Sequence, residues 1–356
     1  MKNSLPKILA VLVFAIAAQT MTAQAPKVHE WWHDTWPGGE YKGTDAKKLP
    51  QISVSGNHFA DPQGKTVLFR GLNISDPDKI AKQGHWNREL FVKIHEMGAT
   101  LVRIPVHPVA WRERGVENYL AMLDQAAAWS AEQGIYLDID WHSIGNLKAG
   151  LFQDPMYVTS EAETLQFWRT IAHHFAGVNT IAFAEIFNEP TTYNDQLGAV
   201  SWHDWKLFNE QAITVIRANG MQAIPLVAGF DWAYDLTPLR QEPIALPGVA
   251  YVTHPYPNKR SRPYQPKWDE DFGFAAWQHP VIATEWGFVD GKGGMADNGA
   301  YGNELIPYLE SRGISWTAWV LDPEWGPSMI KSWDTFELTE QGQFVVDAMK
   351  GKVPAK

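Results

Sequence analysis

The sequence predicts an α/β protein whose main domain is a single (β/α)8 TIM barrel with a short N-terminal β-hairpin cap. Eight short apolar runs recur along the chain, and a segment of helical periodicity follows most of them. This alternation fits within the length of one barrel domain. A doubly wound parallel sheet is the alternative, but no glycine-rich turn of the form G-x-G-x-x-G follows the first strand, which weakens that reading.

The cap is predicted from the segment QISVSGNHFADPQGKTVLFRG, which begins at residue 51. Apolar and polar residues alternate on both sides of Asp61-Pro62-Gln63-Gly64, and these four residue types favour a tight turn between two strands. The preceding residues, 26–50, are polar and show no clear period. They predict an irregular lead-in ahead of the main domain.

The first half of the barrel is predicted from the strand segments TVLFRGLNIS, TLVRIPV, IYLDIDWHS and IAFAEIFNEP. The helical segments that follow them are HWNRELFVKIHEMG, ENYLAMLDQAAAWSAEQG, TLQFWRTIAHHFAG and WHDWKLFNEQAITVIRANG. In the first helix, Leu90, Ile94 and Met97 fall on one face, as expected for a helix that packs on a sheet.

The second half is predicted from the strand segments AIPLVAGFDW, VAYVTHPY, PVIATEWGF and ISWTAWVLD. Helical segments follow the last two of these, namely NELIPYLESRG and LTEQGQFVVDAMK. No internal repeat of fixed length, low-complexity tract or linker interrupts the pattern. We therefore expect one domain spanning residues 51–350.

The amino terminus has the pattern of a signal peptide. Lys2 and Lys7 precede the apolar run ILAVLVFAIAA, and Ala23 and Ala25 stand at the spacing of a cleavage site. The apolar run is too short to span a bilayer, and no stop-transfer pattern follows it, which argues against the alternative of a membrane anchor. We expect residues 1–25 to be removed and the mature protein to be secreted, into the periplasm or out of the cell, with no membrane contact after cleavage.

Composition narrows the class of partner. The chain has 356 residues and no cysteine, so disulfide bonds do not stabilise it. Loss of the two lysines in the signal peptide changes the formal net charge from −10 to −12, which argues against a nucleic-acid partner. The chain also has 18 tryptophans, 11 tyrosines and 16 phenylalanines, more than a core alone explains. A neutral partner fits these observations better.

Polar and aromatic residues stand at the end of nearly every predicted strand. In a barrel of parallel strands these ends meet at one face, where active sites are built. The residues are Arg103, His142, Asn188, Glu189, Asp231, Trp232, His254, Glu285, Trp286 and Trp319.

Two glutamates lie four residues apart in EIFNEP, and on a continuous strand Glu185 and Glu189 would be roughly 13 Å apart. They are therefore not a catalytic pair. Glu185 is expected deeper in the barrel, in a structural role, whereas Glu189 is expected at the mouth of the strand, where Pro190 ends the pairing. The partner of Glu189 is expected to be Glu285, because strands four and seven face each other across the barrel.

Two facing glutamates suit the cleavage of a glycosidic bond, in which one protonates the departing oxygen and the other attacks carbon or activates water. A separation of about 5–5.5 Å gives retention of configuration and about 6.5–9.5 Å gives inversion, and the sequence does not fix this distance. An ionised Glu285 is expected to keep Glu189 protonated, while Arg103 favours the ionised form of Glu285.

These motifs resemble glycoside hydrolase family 5, the endoglucanase and mannanase family whose catalytic glutamates lie on strands four and seven. The resemblance runs from about residue 50 to residue 350. It rests on the motifs LVRIPV, LDIDWHS, NEP, VTHPY, ATEWG and TAWV, taken together and in order.

The resemblance implies that Glu189 is the general acid/base and Glu285 the nucleophile. It also implies that Arg103 and Tyr256 hold the nucleophile, that Asn188 binds the 2-hydroxyl of the sugar, that His142 and His254 line the −1 subsite, and that Trp319 is its stacking floor. From its place beside a strand end, Trp232 is expected to stack on a sugar ring, whereas Trp286 and Trp325 are equally compatible with the cleft and the core.

The predicted function is that of a secreted retaining endo-β-1,4-glucanase acting on β-glucan polysaccharides or oligosaccharides, without cofactor or metal. The aromatic residues distributed around the strand ends suit an open cleft and hence internal cleavage. Because the loops 289–302 and 321–330 border the cleft, β-mannanase and xyloglucanase remain alternatives. A non-catalytic carbohydrate-binding protein is the alternative from another class, although no strand-end glutamate or arginine is lost. The oligomeric state is not predicted.

Overall fold

Strands and helices alternate along the chain as the sequence predicts. The structure is a computed structural model, and it describes residues 39–41, 43, 48–288 and 300–353. The strands in chain order are β1 (Ser53–Ser55), β2 (His58–Ala60), β3 (Thr66–Val67), β4 (Arg70–Ile74), β5 (Leu101–Val106), β6 (Tyr136–Trp141), β7 (Ile144–Asn146), β8 (Leu151–Phe152), β9 (Ile181–Glu185), β10 (Glu189–Pro190), β11 (Ile224–Ala228), β12 (Ala250–Val252), β13 (Val281–Ala283) and β14 (Ser315–Leu321).

The helices lie mainly between the barrel strands. They are α1 (Pro77–Lys82), α2 (Arg88–Met97), α3 (Pro108–Arg114), α4 (Val116–Gln133), α5 (Glu161–His174), α6 (Trp202–Ala218), α7 (Gln265–Asp271), α8 (Ala300–Ser311) and α9 (Glu340–Met349). Short 3-10 segments occur at Pro155–Tyr157, Thr237–Arg240 and Gly273–Trp277.

Eight parallel strands close into a barrel within the described part of the chain. Their order is β11-β12-β13-β14-β4-β5-β6-β9, so each predicted strand segment contributes one strand in sequence order. The register pairs Arg103 with Asp138 and Asp140 with Glu185, which places charged residues of three adjacent strands at a similar height. The predicted (β/α)8 barrel is confirmed.

The N-terminal cap is a small antiparallel sheet. The predicted hairpin is present as β2 and β3, and the Asp61 carboxylate accepts hydrogen bonds from the backbone N–H groups of Gln63 and Lys65, both at 2.9 Å, which closes the turn. Strand β1 adds a third strand beside β2, which the sequence analysis did not predict. The cap is therefore larger than a hairpin.

The inside of the barrel is divided into an apolar end and a polar end. At the apolar end Phe59 of the cap packs on Phe183 with ring centroids 4.9 Å apart, and Phe69 packs on Phe183 at 5.3 Å. Leu101 and Leu226 belong to the same buried cluster. The cap therefore packs against the end of the barrel at which the strands begin.

Helix α2 shows why the helices lie where the sequence places them. The Asn87 side chain accepts a hydrogen bond from the N–H of Leu90 and so caps its start, and Gly98 ends it with a φ of 97° that favours glycine. The predicted face of Leu90, Ile94 and Met97 is buried. The amphipathic pattern of this helix is thus confirmed.

The chain turns sharply at the end of β9. The barrel strand ends at Glu185, and Glu189 and Pro190 form the separate strand β10, which pairs in parallel with Ile144 and Gly145 of β7. The expectation that Glu185 and Glu189 share one continuous strand is therefore wrong. Pro190 is the last paired residue of β10, as expected, and the bond from the N–H of Thr191 to the Gly145 carbonyl at 3.0 Å belongs to this last pair.

Several sequence predictions concern residues outside the described ranges. The signal peptide, most of the lead-in and residues 289–299 of the loop after Glu285 belong to this group. Among the residues that are described, there is no helix with the length and apolar character required to cross a bilayer.

Candidate active site

Arg103 organises the polar end of the barrel. It lies on β5, is fully buried, and uses all five of its N–H groups. Its Nε and Nη2 donate to the two oxygens of Glu185 at 2.8 and 2.7 Å, and Nη2 also donates to Asn188 Oδ1 at 2.7 Å. Its Nη1 donates to Asn73 Oδ1 at 3.0 Å and to Glu285 Oε1 at 2.8 Å. The guanidinium group is therefore fixed in one orientation.

Glu285 follows β13 by two residues, and each of its oxygens accepts a hydrogen bond. Arg103 donates to Oε1, and the Tyr256 hydroxyl donates to Oε2 at 2.9 Å. Burial raises the pKa of the Glu285 carboxyl, while the charges of His254 and Arg103 lower it and that of Glu189 raises it. The predicted effect of Arg103 has the expected sign, but burial outweighs it.

Glu189 is held at the barrel mouth by strand β10. Its backbone N–H bonds to the Ser143 carbonyl at 3.1 Å, and its Oε1 lies 2.9 Å from Nδ1 of His254. The other ring nitrogen of His254 lies 2.9 Å from the Thr284 hydroxyl. Burial lowers the pKa of His254, but the charge of Glu285 and hydrogen bonds to Glu185 and Glu189 outweigh it and raise this pKa to about 9.

The structure brings the two predicted catalytic glutamates together. One oxygen of Glu189, one oxygen of Glu285 and one nitrogen of His254 all lie within 4.8 Å of one another. Such a trio of donors can in principle hold a metal ion. Protonated His254 and the adjacent Arg103 disfavour a cation here, because a histidine must be neutral to bind a metal. The arrangement suits proton transfer and nucleophilic attack instead.

Glu185 lies beneath this pair, as the sequence predicts. It is fully buried, and Thr284 Oγ1 adds a hydrogen bond of 3.3 Å to the two from Arg103. Burial raises the pKa of Glu185, but the attraction of Arg103 and a hydrogen bond from His254 outweigh it and lower this pKa to about 2. Glu185 therefore carries a permanent negative charge inside the barrel.

His142 and Trp319 line the same side of the cleft, with ring centroids 5.4 Å apart and planes within 3° of parallel. The Nδ1 of His142 bonds to Asp140 Oδ2 at 2.6 Å, and burial lowers the pKa of His142 well below its usual range. Burial also raises the pKa of Asp140 well above its usual range, and the ring nitrogen that is not bonded to Asp140 is Nε2. Trp325, whose place was left open, lies 6.1 Å from Trp319 with nearly parallel rings.

Two further residues complete this wall and were missed by the sequence analysis. His107 packs 4.6 Å from His142, and Tyr157 lies 5.8 Å from His107 with stacked rings. His107 directly follows the last residue of β5, so it could have been predicted in the same way as the other polar residues at strand ends. Tyr157 comes from a 3-10 segment in the connection after β6, where no sequence signal marks it.

Asn188 is buried, and the two polar atoms of its amide differ in their hydrogen bonding. Its Oδ1 accepts from Arg103, whereas its Nδ2 has no hydrogen-bond partner among the described residues. A buried amide donor without a partner is costly, unless a ligand completes it. The free N–H groups of Asn188 therefore mark a position for an oxygen acceptor.

Trp232 lies on the opposite rim, in a turn with positive φ values at residues 231, 232 and 233. Its indole N–H donates to Gln153 Oε1 at 2.8 Å, and Tyr193 packs edge-on at 5.5 Å. The ammonium group of Lys259 lies 4.5 Å from the ring centroid. The half-buried indole is thus held at the rim of the cleft, after the end of β11, as the sequence predicts.

Trp286, for which the sequence left both the cleft and the core open, lies away from the site. It is fully buried against Trp316 and Phe344, so it belongs to the core and not to the cleft.

Comparison with known proteins gives the same family. Residues 60–324 match the cellulase family, glycosyl hydrolase family 5. A solved β-glucanase from Saccharophagus degradans, in complex with cellotetraose, is 42% identical with a TM-score of 0.86, covering 91% of this chain and 100% of that one. The catalytic domain of a Thermobifida fusca endoglucanase is 20% identical with a TM-score of 0.70, covering 86% of this chain and 100% of that domain, which shows the fold alone.

Curated relatives are more distant in sequence. An endoglucanase of Paenibacillus polymyxa is 24% identical over 351 residues, covering 81% of this chain and 84% of the relative. Endoglucanase 5 of Pectobacterium carotovorum subsp. carotovorum is 22% identical, covering 84% of this chain but only 57% of the relative. The family match spans most of the chain, and it agrees with the barrel and with the facing glutamates. The chain belongs to the cellulase family, glycosyl hydrolase family 5, and is a glycoside hydrolase.

Proposed function

We propose that the protein is a retaining endo-β-1,4-glucanase in which Glu285 is the nucleophile and Glu189 the general acid/base. The observation that carries this proposal is the approach of their carboxylate oxygens to within 4.8 Å of each other and of His254. That spacing suits direct attack by one carboxylate and leaves little room for the extra water that inversion needs.

In the first half-reaction a Glu285 oxygen attacks the anomeric carbon, and Glu189 gives a proton to the departing glycosidic oxygen. A glycosyl ester forms on Glu285 as the glycosidic bond breaks. Arg103 and Tyr256 each hold one oxygen of Glu285, so the carboxylate is oriented before substrate arrives.

In the second half-reaction water attacks the anomeric carbon and the ester is released. Glu189, now without its proton, takes a proton from that water, so the same residue serves both steps. Esterified Glu285 carries no negative charge, which removes its repulsion of Glu189. His254 donates a hydrogen bond to Glu189 and holds its carboxylate in the same position for both half-reactions.

The remaining side chains suit a sugar in the −1 subsite. The free Nδ2 of Asn188 is available to the 2-hydroxyl group, next to the anomeric carbon that Glu285 attacks. Trp319 presents an aromatic surface suited to the apolar face of a pyranose ring, and His142 offers Nε2 to a hydroxyl group. Trp232 on the opposite rim is proposed to stack on a sugar farther along the chain.

A β-glucan substrate is favoured over mannan and xyloglucan by what the relatives act on. The Paenibacillus and Pectobacterium relatives are named endoglucanases, and the Saccharophagus relative is a β-glucanase with cellotetraose bound. We also propose that residues 1–25 are a signal peptide, that residues 26–50 form the lead-in, and that residues 51–350 are the catalytic domain of a secreted enzyme.

The decisive experiment measures release of reducing ends from carboxymethylcellulose, barley glucan, glucomannan, xyloglucan and xylan. We expect the highest rates on the glucans, with viscosity falling early because internal bonds break first. Proton NMR of fresh product should show the β-anomer. Initial release of the α-anomer would contradict the retaining mechanism, and release of short sugars with hardly any loss of viscosity would contradict the endo mode.

A Glu189→Gln variant separates catalysis from binding. It should bind glucan like the parent protein but hydrolyse it about 10²- to 10⁴-fold more slowly, the usual contribution of a general acid/base. Unchanged hydrolysis would remove Glu189 from the mechanism. No hydrolysis by the parent protein on any substrate of the panel, together with tight binding, would favour a non-catalytic carbohydrate-binding protein.

A further inference from the structure

We propose that Glu185 is a positioning residue that sets Arg103 and His254 against the two reacting glutamates. The inference rests on the roles proposed above for Glu189 and Glu285. Glu185 contacts neither the substrate position nor a reacting atom. It acts through two cations, each of which lies between Glu185 and one of the reacting carboxylates.

The first connection runs through Arg103. Glu185 receives Nε at 2.8 Å on one oxygen and Nη2 at 2.7 Å on the other, which is the two-point geometry that fixes a guanidinium plane. Because this plane is fixed, Nη1 points at Glu285 Oε1 at 2.8 Å. Loss of the two-point contact would free Arg103 to rotate away from Glu285.

The second connection runs through Thr284 and His254. The Thr284 hydroxyl donates to Glu185 Oε1 at 3.3 Å, so its oxygen is left to accept from Nε2–H of His254 at 2.9 Å. This chain fixes the imidazole ring and directs Nδ1 at Glu189 Oε1 at 2.9 Å. The Glu185 carboxylate lies 3.8 Å from His254 Nε2 and balances its positive charge.

Glu185 is surrounded by other titratable groups, whose effects must be kept apart from its own. Asp138 lies beside it, and burial raises the pKa of Asp138 well above its usual range. Asp140 lies 3.0 Å from Arg103 Nη2 and bonds to His142. The charged groups that act on Glu285 are His254, Arg103, Glu189 and Glu185, and Tyr256 donates to it.

Replacement of Glu185 by Gln removes one oxygen acceptor and one negative charge. The carbonyl oxygen of the amide takes the place of only one carboxylate oxygen, and the NH2 group faces the other Arg103 N–H, so Arg103 is displaced from Glu285. The charge of Arg103 lowers the pKa of Glu285 more strongly than the charge of Glu185 raises it, so this pKa rises and the acidic limb of kcat/KM moves to higher pH. A loss of rate on the order of 100-fold is expected from such a displacement.

The experiment compares the parent protein with Glu185→Gln, Thr284→Val and Thr284→Ser. A 2-fluoro cellobioside with a good leaving group traps the glycosyl ester, and peptide mass mapping locates it. Trapping reports the nucleophile because this leaving group needs little protonation. Hydrolysis of cellotetraose needs both glutamates.

We expect the label on Glu285 in the parent protein and in Glu185→Gln. In Glu185→Gln, trapping should be on the order of 100-fold slower, with its acidic limb at higher pH. Thr284→Val should be trapped at nearly the parent rate but hydrolyse cellotetraose at least tenfold more slowly, because Arg103 and Tyr256 still hold Glu285 while His254 is no longer fixed against Glu189. Thr284→Ser keeps the hydroxyl and should restore hydrolysis.

The outcomes separate the two proposals. If the parent protein is not labelled on Glu285, the proposed function fails. If the parent is labelled, and folded Glu185→Gln shows the parent's trapping rate and pH profile, the role of Glu185 is overturned while the proposed function stands. Should Glu185→Gln not fold, Thr284→Val decides: unchanged hydrolysis of cellotetraose then overturns the role of Glu185.

Discussion

His254 lies between two oxygen atoms at hydrogen-bonding distance, Oε1 of Glu189 at 2.9 Å and the Thr284 hydroxyl at 2.9 Å. The imidazole is fully buried, and the carboxylates around it raise its pKa to about 9. A buried cation is stable only when it is paired, so the histidine and the glutamates of the site depend on each other. This dependence makes the stability of the protein sensitive to pH.

The first prediction concerns that sensitivity. A free histidine has a pKa of about 6.5, below the folded value, so the folded state favours the proton. The resulting stabilisation is complete below about pH 6.5 and is lost as the pH rises through about 9. His254→Gln should therefore lower the melting temperature markedly at pH 6 and far less at pH 9.5.

Thermal unfolding at a series of pH values tests this prediction. His95→Gln is a suitable control, because His95 lies exposed on α2. That variant should follow the parent protein at every pH. An equal loss of melting temperature at pH 6 and at pH 9.5 in His254→Gln would show that the histidine contributes by packing and not by charge.

The second prediction concerns the hydroxyl group of Tyr256. Burial raises the pKa of this tyrosine well above its usual range, so it stays a neutral donor to Glu285. Tyr256→Phe removes one donor to an ionised carboxylate and should lower kcat about 100-fold. The loss of this hydrogen bond also raises the pKa of Glu285, so the acidic limb of kcat/KM moves to higher pH.

Glu185→Gln, which displaces Arg103 from the same carboxylate, should move the acidic limb in the same direction. Steady-state kinetics on a soluble cello-oligosaccharide from pH 3 to pH 9 give both limbs. An acidic limb that stays at the parent's position in Tyr256→Phe would mean that the hydroxyl does not stabilise the ionised nucleophile.

The sequence predicts the barrel well because its signals are local and repeated. Each strand is a short apolar run, and parallel strands place all their ends at one face, so Arg103, His254 and Glu285 could be assigned to one site before their distances were known. The resemblance to glycoside hydrolase family 5, now confirmed by the family match, drew on the same strand ends. The same repeated pattern of apolar strands therefore predicts both the barrel and the face on which the site lies.

The incorrect or missing predictions concern residues that lie outside this repeated pattern of strands. The turn after Glu185 depends on pairing between β10 and β7, which are distant in sequence, so no local pattern revealed it. Trp286 directly follows Glu285, yet it points into the core against Trp316, because neighbouring residues on an extended segment face opposite ways. Tyr157 reaches the site from a connection whose course only the fold determines.

The third prediction concerns the amino terminus. If residues 1–25 are a signal peptide, the mature protein should begin at Pro26. Expression of the full chain in a bacterial host, followed by fractionation and N-terminal sequencing, measures this directly. Replacement of Ala23 and Ala25 by bulky residues should block processing and retain the longer form. A chain that keeps Met1 after export would refute the proposed cleavage.

The fourth prediction concerns the indole of Trp232 on the cleft rim. Its fixed position over Lys259 and against Tyr193 suits a platform for a sugar beyond the one that reacts. Trp232→Ala should raise KM for long cello-oligosaccharides roughly tenfold, since aromatic contacts contribute about 0.5–1.5 kcal/mol beyond their buried area. An aryl cellobioside too short to reach the rim should be hydrolysed at the parent rate.

Trp277→Ala provides the matched control for this measurement. Trp277 is 70% exposed and stands just before β13, at the barrel end opposite the site, so its loss should change neither substrate. Trp319→Ala should instead slow hydrolysis of both substrates, because its ring lies beside His142 at the proposed −1 subsite. A Trp232→Ala variant that slows both substrates equally would place this indole at the reacting sugar, and one that slows neither would remove it from the cleft.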